Sequence, residues 1–291
     1  MTTSQFHQIQ FIEFWDGRTG QTFGVEDLLY SQRSPYQHVQ VWQTDAFGRV
    51  LTLDGLVMFT ERDEFVYHEM ISHPALCLLD HPQRVLVVGG GDGGTVREVL
   101  RHPSVERVDL VEIDALVIET ARRFFPWMAC AFDDPRLQLH ITDGVAFVAQ
   151  APAQTYDVVI VDSTDPVGMA EGLFGPAFYR DVARILQPAG VLTTQTESPF
   201  DRLFQKTIQA AHQCLRQLFP VVAMYLAFIP SYPTGMWSFT LASKERHPVQ
   251  DFDPQRAASL APQLRYYNAD IHRAAFALPT FVRQQLENRG D

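Results

Sequence analysis

Residues 84 to 102 place three elements in immediate succession. Val85–Val88 is a continuous apolar run, residues 89–95 read GGGDGGT, and Val96–His102 carries helical spacing. An apolar run without alternation fits a strand buried on both faces, which needs helices on either side of its sheet. The glycines let the backbone turn tightly and come close to a ligand. A strand, a glycine turn and a helix in that order restrict the chain to an α/β layer architecture.

The rest of the chain extends this pattern. Val105–Ile113, Leu137–Ile141, Tyr156–Val161 and Gly190–Gln195 read as strands. Between and after them, Leu116–Phe125 (with Arg122 and Arg123 exposed), Gly144–Gln150, Pro176–Leu186 and Leu203–Phe219 read as helices. The alternation predicts a parallel, Rossmann-like sheet covered on both faces. Val221–Phe228 and Met236–Ala242, separated by a Pro- and Gly-containing turn, predict an antiparallel edge hairpin of the methyltransferase type. Near Glu64 a helix begins, with Phe65, Met70, Ile71, Leu76 and Leu79 lining one side and Pro74 interrupting or bending it. Before it, 10–15, 19–25, 38–44 and 49–55 alternate around turn residues, as in a small antiparallel sheet. The expected division is an N-terminal β module over 1–65 and a catalytic domain over 66–291 that ends in a helical tail.

At 291 residues the chain suits one large domain with a smaller module. A formal net charge of −11 argues against nucleic acid as partner, because that binding is driven by Lys and Arg. It suits cationic small molecules, or simply aids solubility. No apolar run approaches the ~20 residues that cross a bilayer. The polar start, Met1–Gln10, lacks the pattern of a secretory signal. Cys77, Cys130 and Cys214 are too few and too scattered for a disulfide framework or a zinc site. All three are expected to be buried, in a reducing cytoplasm.

Acidic residues recur at the strand ends. Glu112 ends the second strand of the parallel series, about twenty residues after the glycine loop, where an acid binds ribose hydroxyls in nucleotide folds. Asp143, before Gly144, ends the third, where a carboxylate can accept from an exocyclic amine of a base. A plainer alternative makes Glu112, Asp114 and Asp143 helix caps or first-turn acids. Asp92 sits in the middle of the glycine loop, where it would repel a phosphate, and no P-loop lysine follows. NAD and ATP are therefore disfavoured, and a nucleoside carrying positive charge is expected.

Asp162 and Asp165 follow the fourth strand in the segment DSTDP, residues 162–166. Two carboxylates on one loop can bind a cation and take a proton. An amine nucleophile is protonated at neutral pH, with a pKa of ~10, and needs such a base. An Asx-turn with Pro166 would explain the pair equally well. His68 and His73 are five apart, not the four that places two imidazoles on one helix face, so no metal site is expected there. No serine elbow and no activated cysteine is apparent.

Taken together, GGGDGG at 89–94, VEID at 111–114, DSTDP at 162–166, ERDEFVYHEM at 61–70 and SYPTGMWSF at 231–239 resemble the spermidine synthase (polyamine aminopropyltransferase) family, bacterial type. LDG at 53–55 and YYNADIHRAAFALP at 266–279 extend the resemblance over nearly the whole chain. The resemblance implies decarboxylated S-adenosylmethionine as co-substrate, with no permanently bound cofactor. It implies putrescine as acceptor, and spermidine and 5′-methylthioadenosine as products, in a homodimer or homotetramer. Agmatine, cadaverine and spermidine are alternative acceptors, and an S-adenosylmethionine-dependent methyltransferase is the rival chemistry. Carried over by motif, Asp162 is the base and Asp165 holds the substrate ammonium. Gln37 and Glu112 contact the nucleoside, Asp143 and Gly144 the adenine, and Asp92 the aminopropyl amine. Tyr67, His68 and Tyr232 line the polyamine channel. Met169 stands where the family often has Pro, and Met236 where some members carry Gln.

Overall fold

The computed structural model describes residues 9–15, 17–164 and 172–287. Its first sheet is an antiparallel meander of β1 (Ile9–Phe14), β2 (Gly20–Arg33), β3 (His38–Thr44), β4 (Gly48–Leu53) and β5 (Leu56–Thr60). Strand β5 is absent from the sequence reading, which stops at Asp54-Gly55. Those two residues have φ of 50° and 86°, as a two-residue hairpin turn with left-handed backbone requires, and the chain returns as β5. Val39, Val41, Leu51 and Phe59 project from this sheet onto Leu116, Val117, Phe125 and Met128, so it packs against the helices that follow β7 below.

After α1 (Glu64–Leu76) comes the second sheet. It comprises β6 (Arg84–Gly89), β7 (Arg107–Glu112), β8 (Leu137–Ile141), β9 (Tyr156–Asp162), β10 (Leu186–Gln195), β11 (Val221–Phe228) and β12 (Met236–Ser243). The order is β11-β12-β10-β9-β6-β7-β8. Strands β8, β7, β6, β9 and β10 are parallel, and β12 runs antiparallel to both its neighbours. The sheet is Rossmann-like with the expected late hairpin. Helices α2 (Gly94–Leu100), α3 (Ala115–Phe124), α4 (Pro126–Ala129), α5 (Gly144–Gln150), α6 (Pro176–Ile185) and α7 (Gln205–Leu218) follow the strands.

The uninterrupted apolar runs have a direct cause. Val85, Val87, Val158 and Ile160 enter one core, with α1 and α2. Their neighbours Leu86, Val88, Val159 and Val161 enter the opposite core, with α6 and α7. Side chains alternate across a strand, so a sheet covered on both faces needs apolar residues at every position.

Helix α1 differs from the expectation of one apolar side. Glu64, His68, Glu69, Ser72 and His73 are buried along with its apolar residues. Pro74 does not interrupt it but lies in its last turn. The Met70 carbonyl, which a Pro74 N–H would otherwise have met, accepts the Tyr225 hydroxyl at 2.8 Å. Glu69 accepts the backbone N–H groups of Arg265, Tyr266 and Tyr267 at 2.8, 2.9 and 2.7 Å, docking the C-terminal segment on α1. That segment forms three short helices, α8 (Pro254–Leu260), α9 (Ala269–Ala275) and α10 (Thr280–Glu287). The expectation for the cysteines holds for Cys77 alone. Cys214 is half-buried, packed at the margin of the core beside α6 and α7, and Cys130 is exposed.

Candidate active site

Parallel pairing sets the ends of the central strands side by side. Gly89 of β6 pairs with Asp162 of β9, and Glu112 of β7 with Ile141 of β8. The glycine loop, Glu112, Asp143 and Asp162 thus share one edge of the sheet, the place where open α/β sheets bind ligands. They line a cavity of about 440 Å³ together with Gln37, Tyr67, His68, Asp92, Gly144 and Tyr232. Every described residue expected at the site is there. Asp165 and Met169 lie outside the described residues.

Asp162 is buried at the end of β9. One carboxylate oxygen accepts the Tyr67 hydroxyl at 2.6 Å and the other the Thr95 hydroxyl at 2.6 Å. Gly90, at φ 70°, lies so close that a Cβ there would stand 2.7 Å from this carboxylate. The glycine loop therefore makes room for the protein's own acid. Burial and the charge of Asp92 raise the Asp162 pKa, against the pull of His68 and the two hydroxyls. A carboxylate raised in this way is a better proton acceptor than an ordinary one.

Asp92 lies at the other side of the loop. The Nε2 of His68 is 3.2 Å from Asp92, and its Nδ1 is 2.7 Å from Glu64. Carboxylates only accept, so both ring nitrogens donate and His68 is an imidazolium. Burial works against that charge, but Asp92 and Glu64 outweigh it and raise the His68 pKa to about 10. Arg97 holds Glu64 through two hydrogen bonds of 2.9 Å each. Burial alone would push Glu64 up; His68 and Arg97 bring its pKa down to about 2. Asp92 is likewise lowered by His68 against the effect of burial. The environments of Asp92 and Asp162 thus separate two neighbouring carboxylates, one kept ionised and one poised to take a proton.

His68, Asp92 and Asp162 bring one donor atom each within 4.8 Å of one another. The imidazolium has no lone pair to offer a metal, so this trio suits an ammonium group. His73 does not join it. It faces His102 at 3.0 Å and Glu98 at 3.2 Å on the far side of α1.

At the opposite end of the cavity the acids divide. Asp143 caps α5, accepting from Val145 N–H at 2.7 Å, and also lines the cavity. Asp114 is the cap of α3, accepting from Leu116 N–H at 3.0 Å. Its other oxygen holds Ser34 at 2.7 Å and the Gln37 carboxamide at 2.9 Å, which draws the β2–β3 loop over the cavity. Glu112 caps no helix. Its carboxylate accepts Gly91 N–H at 3.1 Å and Asp114 N–H at 2.9 Å. Burial raises its pKa to about 7. The cap alternative is correct for Asp114, half correct for Asp143 and wrong for Glu112.

A second cavity, of about 230 Å³, adjoins the first at Met58, Tyr67, Ser163, Thr164 and Tyr232. Its walls include Glu13, Trp15, Gln195, Glu197, Asp201 and Trp237. Glu197 has a left-handed φ of 63° and accepts the Gln195 carboxamide at 2.9 Å. The sequence reading missed this group. Glu197 extends the rule of an acid beyond each parallel strand end, since β10 stops at Gln195, and that signal was available. Glu13 and Trp15 carried none, because they come from β1 and its turn in the other sheet. Thr95 and the Glu64–Arg97 pair were also missed, although Thr95 closes the glycine loop and Glu64 lies within the motif at 61–70.

A Rossmann-like sheet with an acidic strand-end cleft defines a class of enzyme that holds a cationic nucleoside beside a proton acceptor. Residues 64–254 match the family model described as the spermine/spermidine synthase domain, and residues 9–61 the spermidine synthase tetramerisation domain. The chain belongs to the spermine/spermidine synthase family. It is 42% identical over 280 residues to a polyamine aminopropyltransferase of Clostridioides difficile (strain 630), covering 96% of this chain and 99% of that one. Its fold is similar to that of spermidine synthase from Thermotoga maritima, with a TM-score of 0.92, 40% identity and coverage of 98% and 97%. It also matches a spermidine synthase in complex with the transition state analogue AdoDATO, with a TM-score of 0.93, 40% identity and 98% of each chain covered. Among the described residues no helix is long and apolar enough to cross a membrane.

Proposed function

We propose that this chain is a spermidine synthase: it transfers the aminopropyl group of decarboxylated S-adenosylmethionine to putrescine. The observation that carries the reading is the trio of buried His68, half-buried Asp92 and buried Asp162 at the end of a nucleoside-sized cleft. Asp92, held ionised by His68, receives the primary ammonium of the donor. The same charge disfavours the carboxylate of intact S-adenosylmethionine, which is selection by repulsion of the wrong ligand. Gln37 and Glu112 hold the nucleoside, and Asp143 with Gly144 the adenine. Asp162 takes the proton of the attacking amine, Tyr67 orients Asp162, and Asp165 supports the substrate ammonium.

The chemistry is one displacement. The acceptor ammonium gives a proton to Asp162, and its nitrogen lone pair attacks the carbon next to the sulfonium. The new C–N bond forms as the C–S bond breaks, and the electron pair stays on sulfur as the neutral thioether of methylthioadenosine. Positioning and proton removal supply most of the rate. The second cavity, with Glu13, Glu197 and Asp201, suits the distal ammonium of the acceptor. Met236 opens β12, the strand that carries the Trp237 wall of that cavity. The matched tetramerisation domain supports a homo-oligomer, read as a dimer or tetramer. Its proposed place of work is the cytoplasm. We divide the chain into a module over 1–65 and a catalytic domain over 66–291, a boundary that falls in the first turn of α1, which begins at Glu64.

The test is a donor-by-acceptor matrix with purified protein, read by release of methylthioadenosine. Putrescine is expected to exceed agmatine, cadaverine and spermidine. Methyl transfer from intact S-adenosylmethionine above aminopropyl transfer refutes the reading.

A further inference from the structure

Tyr232 stands where the two cavities meet, and the loop that carries it is gripped from two distant segments. The Ser231 N–H donates to Asp63 at 2.9 Å, and the Ser231 hydroxyl donates to the same carboxylate at 3.0 Å. The Ser231 carbonyl accepts the Gln21 carboxamide at 2.6 Å, and that carboxamide also donates to Glu13 at 2.6 Å. Both Gln21 N–H groups thus meet pure acceptors, which fixes the orientation of the amide. Asp63 is buried and accepts the Thr60 hydroxyl at 2.6 Å as well. The Tyr232 hydroxyl closes the arrangement on the Met58 carbonyl. One residue, Ser231, is therefore held through its N–H by the residue before α1 and through its C=O by β2.

We propose that Gln21 and Asp63 are positioning residues that set the aperture between the two cavities, and through it the fit of the acceptor amine. The proposal rests on the reading of the second cavity as the acceptor site. It gives the N-terminal sheet a task in substrate selection besides the assembly that its family match names. The donor cleft lies beyond this clamp. Tyr232 borders both cavities, but the glycine loop, Glu112 and Asp143 line the donor cleft alone, so a loosened clamp acts chiefly on the acceptor.

The experiment measures steady-state kinetics for each substrate in Gln21→Ala, Asp63→Ala and Asp63→Asn. Gln21→Ala is expected to raise the putrescine KM roughly tenfold, with the donor KM and kcat within about twofold. The preference for putrescine over cadaverine should shrink, since a wider aperture discriminates length less well. Asp63→Ala should act in the same direction. Asp63→Asn should recover most of the loss, because its amide oxygen can accept from Ser231 N–H while the hydroxyls rotate to accept from its NH₂. A putrescine KM within twofold of wild type in Gln21→Ala overturns the proposal. So does an equal rise in donor KM, or the same defect in Asp63→Asn as in Asp63→Ala. Wild-type protein that releases no methylthioadenosine refutes the proposed function itself, and the clamp falls with it; active wild type with an unmoved Gln21→Ala refutes the clamp alone.

Discussion

The donor cleft and the second cavity share five residues and are built in opposite ways. The cleft is assembled by neighbouring parallel strands, each delivering an acid at its carboxyl end. Its geometry follows from sheet register, and each acid lies next to the helix that the strand feeds. The second cavity draws on β1, β5, the β10–α7 connection and the β11–β12 turn, segments more than 200 residues apart in the case of Gln21 and Ser231, where the separation is 210. In the proposed function, the groups that act on the donor thus sit on adjoining strands of one sheet. The proposed acceptor site sits on a junction between two sheets, where a shift of either one would alter the fit.

The largest expected effect belongs to the cleft. Asp162→Asn should lower kcat by roughly 10²–10⁴, the usual worth of a positioned base. Its raised pKa also places the acidic limb of the rate profile above the ordinary carboxylate range, because the base works only when ionised. A near-normal rate would remove Asp162 from that role and leave the two regions without a shared reacting centre. Asp92→Asn should come next, weakening donor binding by about 10–100-fold, since a buried cation loses its partner. It should also narrow discrimination against intact S-adenosylmethionine. Competition binding with both donors checks this, and unchanged discrimination would contradict selection by charge.

Glu197→Gln tests the other region. A putrescine KM raised about tenfold, with the donor KM unmoved, is expected for a carboxylate facing the distal ammonium. An equal change in both constants would merge the two regions into one. The smallest effect concerns stability. The His68 pKa is raised from 6.5 to about 10, so the folded chain keeps a proton that the unfolded chain releases. That contribution is complete below pH 6.5 and is lost as pH rises through 10. His68→Gln should therefore flatten the fall of Tm across this window in calorimetry. An unaltered slope would mean that the ring is not an imidazolium.

The sheet and its acids were legible because their signals are local. Val85–Val88, the glycine loop and α2 are continuous in sequence, and Glu112, Asp143 and Asp162 each lie at or just beyond the end of a strand. Helix α1 was less legible. Apolar spacing suggests one buried side, yet polar residues are buried too, several of them paired with a group from another element, as Glu64 is with Arg97 and Glu69 with the backbone at 265–267. Periodicity reports apolar faces and is silent about polar groups whose partners lie far along the chain.

By itself, then, the sequence determined the α/β class, the strand order of chemistry along the sheet edge and the acids that face a cationic nucleoside, because neighbouring residues dictate strands, turns and caps. Only the tertiary structure gave the acids their different environments. Asp92 and Asp162 are both aspartates beside glycines, and burial, His68 and the two hydroxyls on Asp162 set them apart. It also decided where the second cavity and the clamp beside it lie, since Gln21, Asp63 and Ser231 meet only after two sheets have packed around one helix.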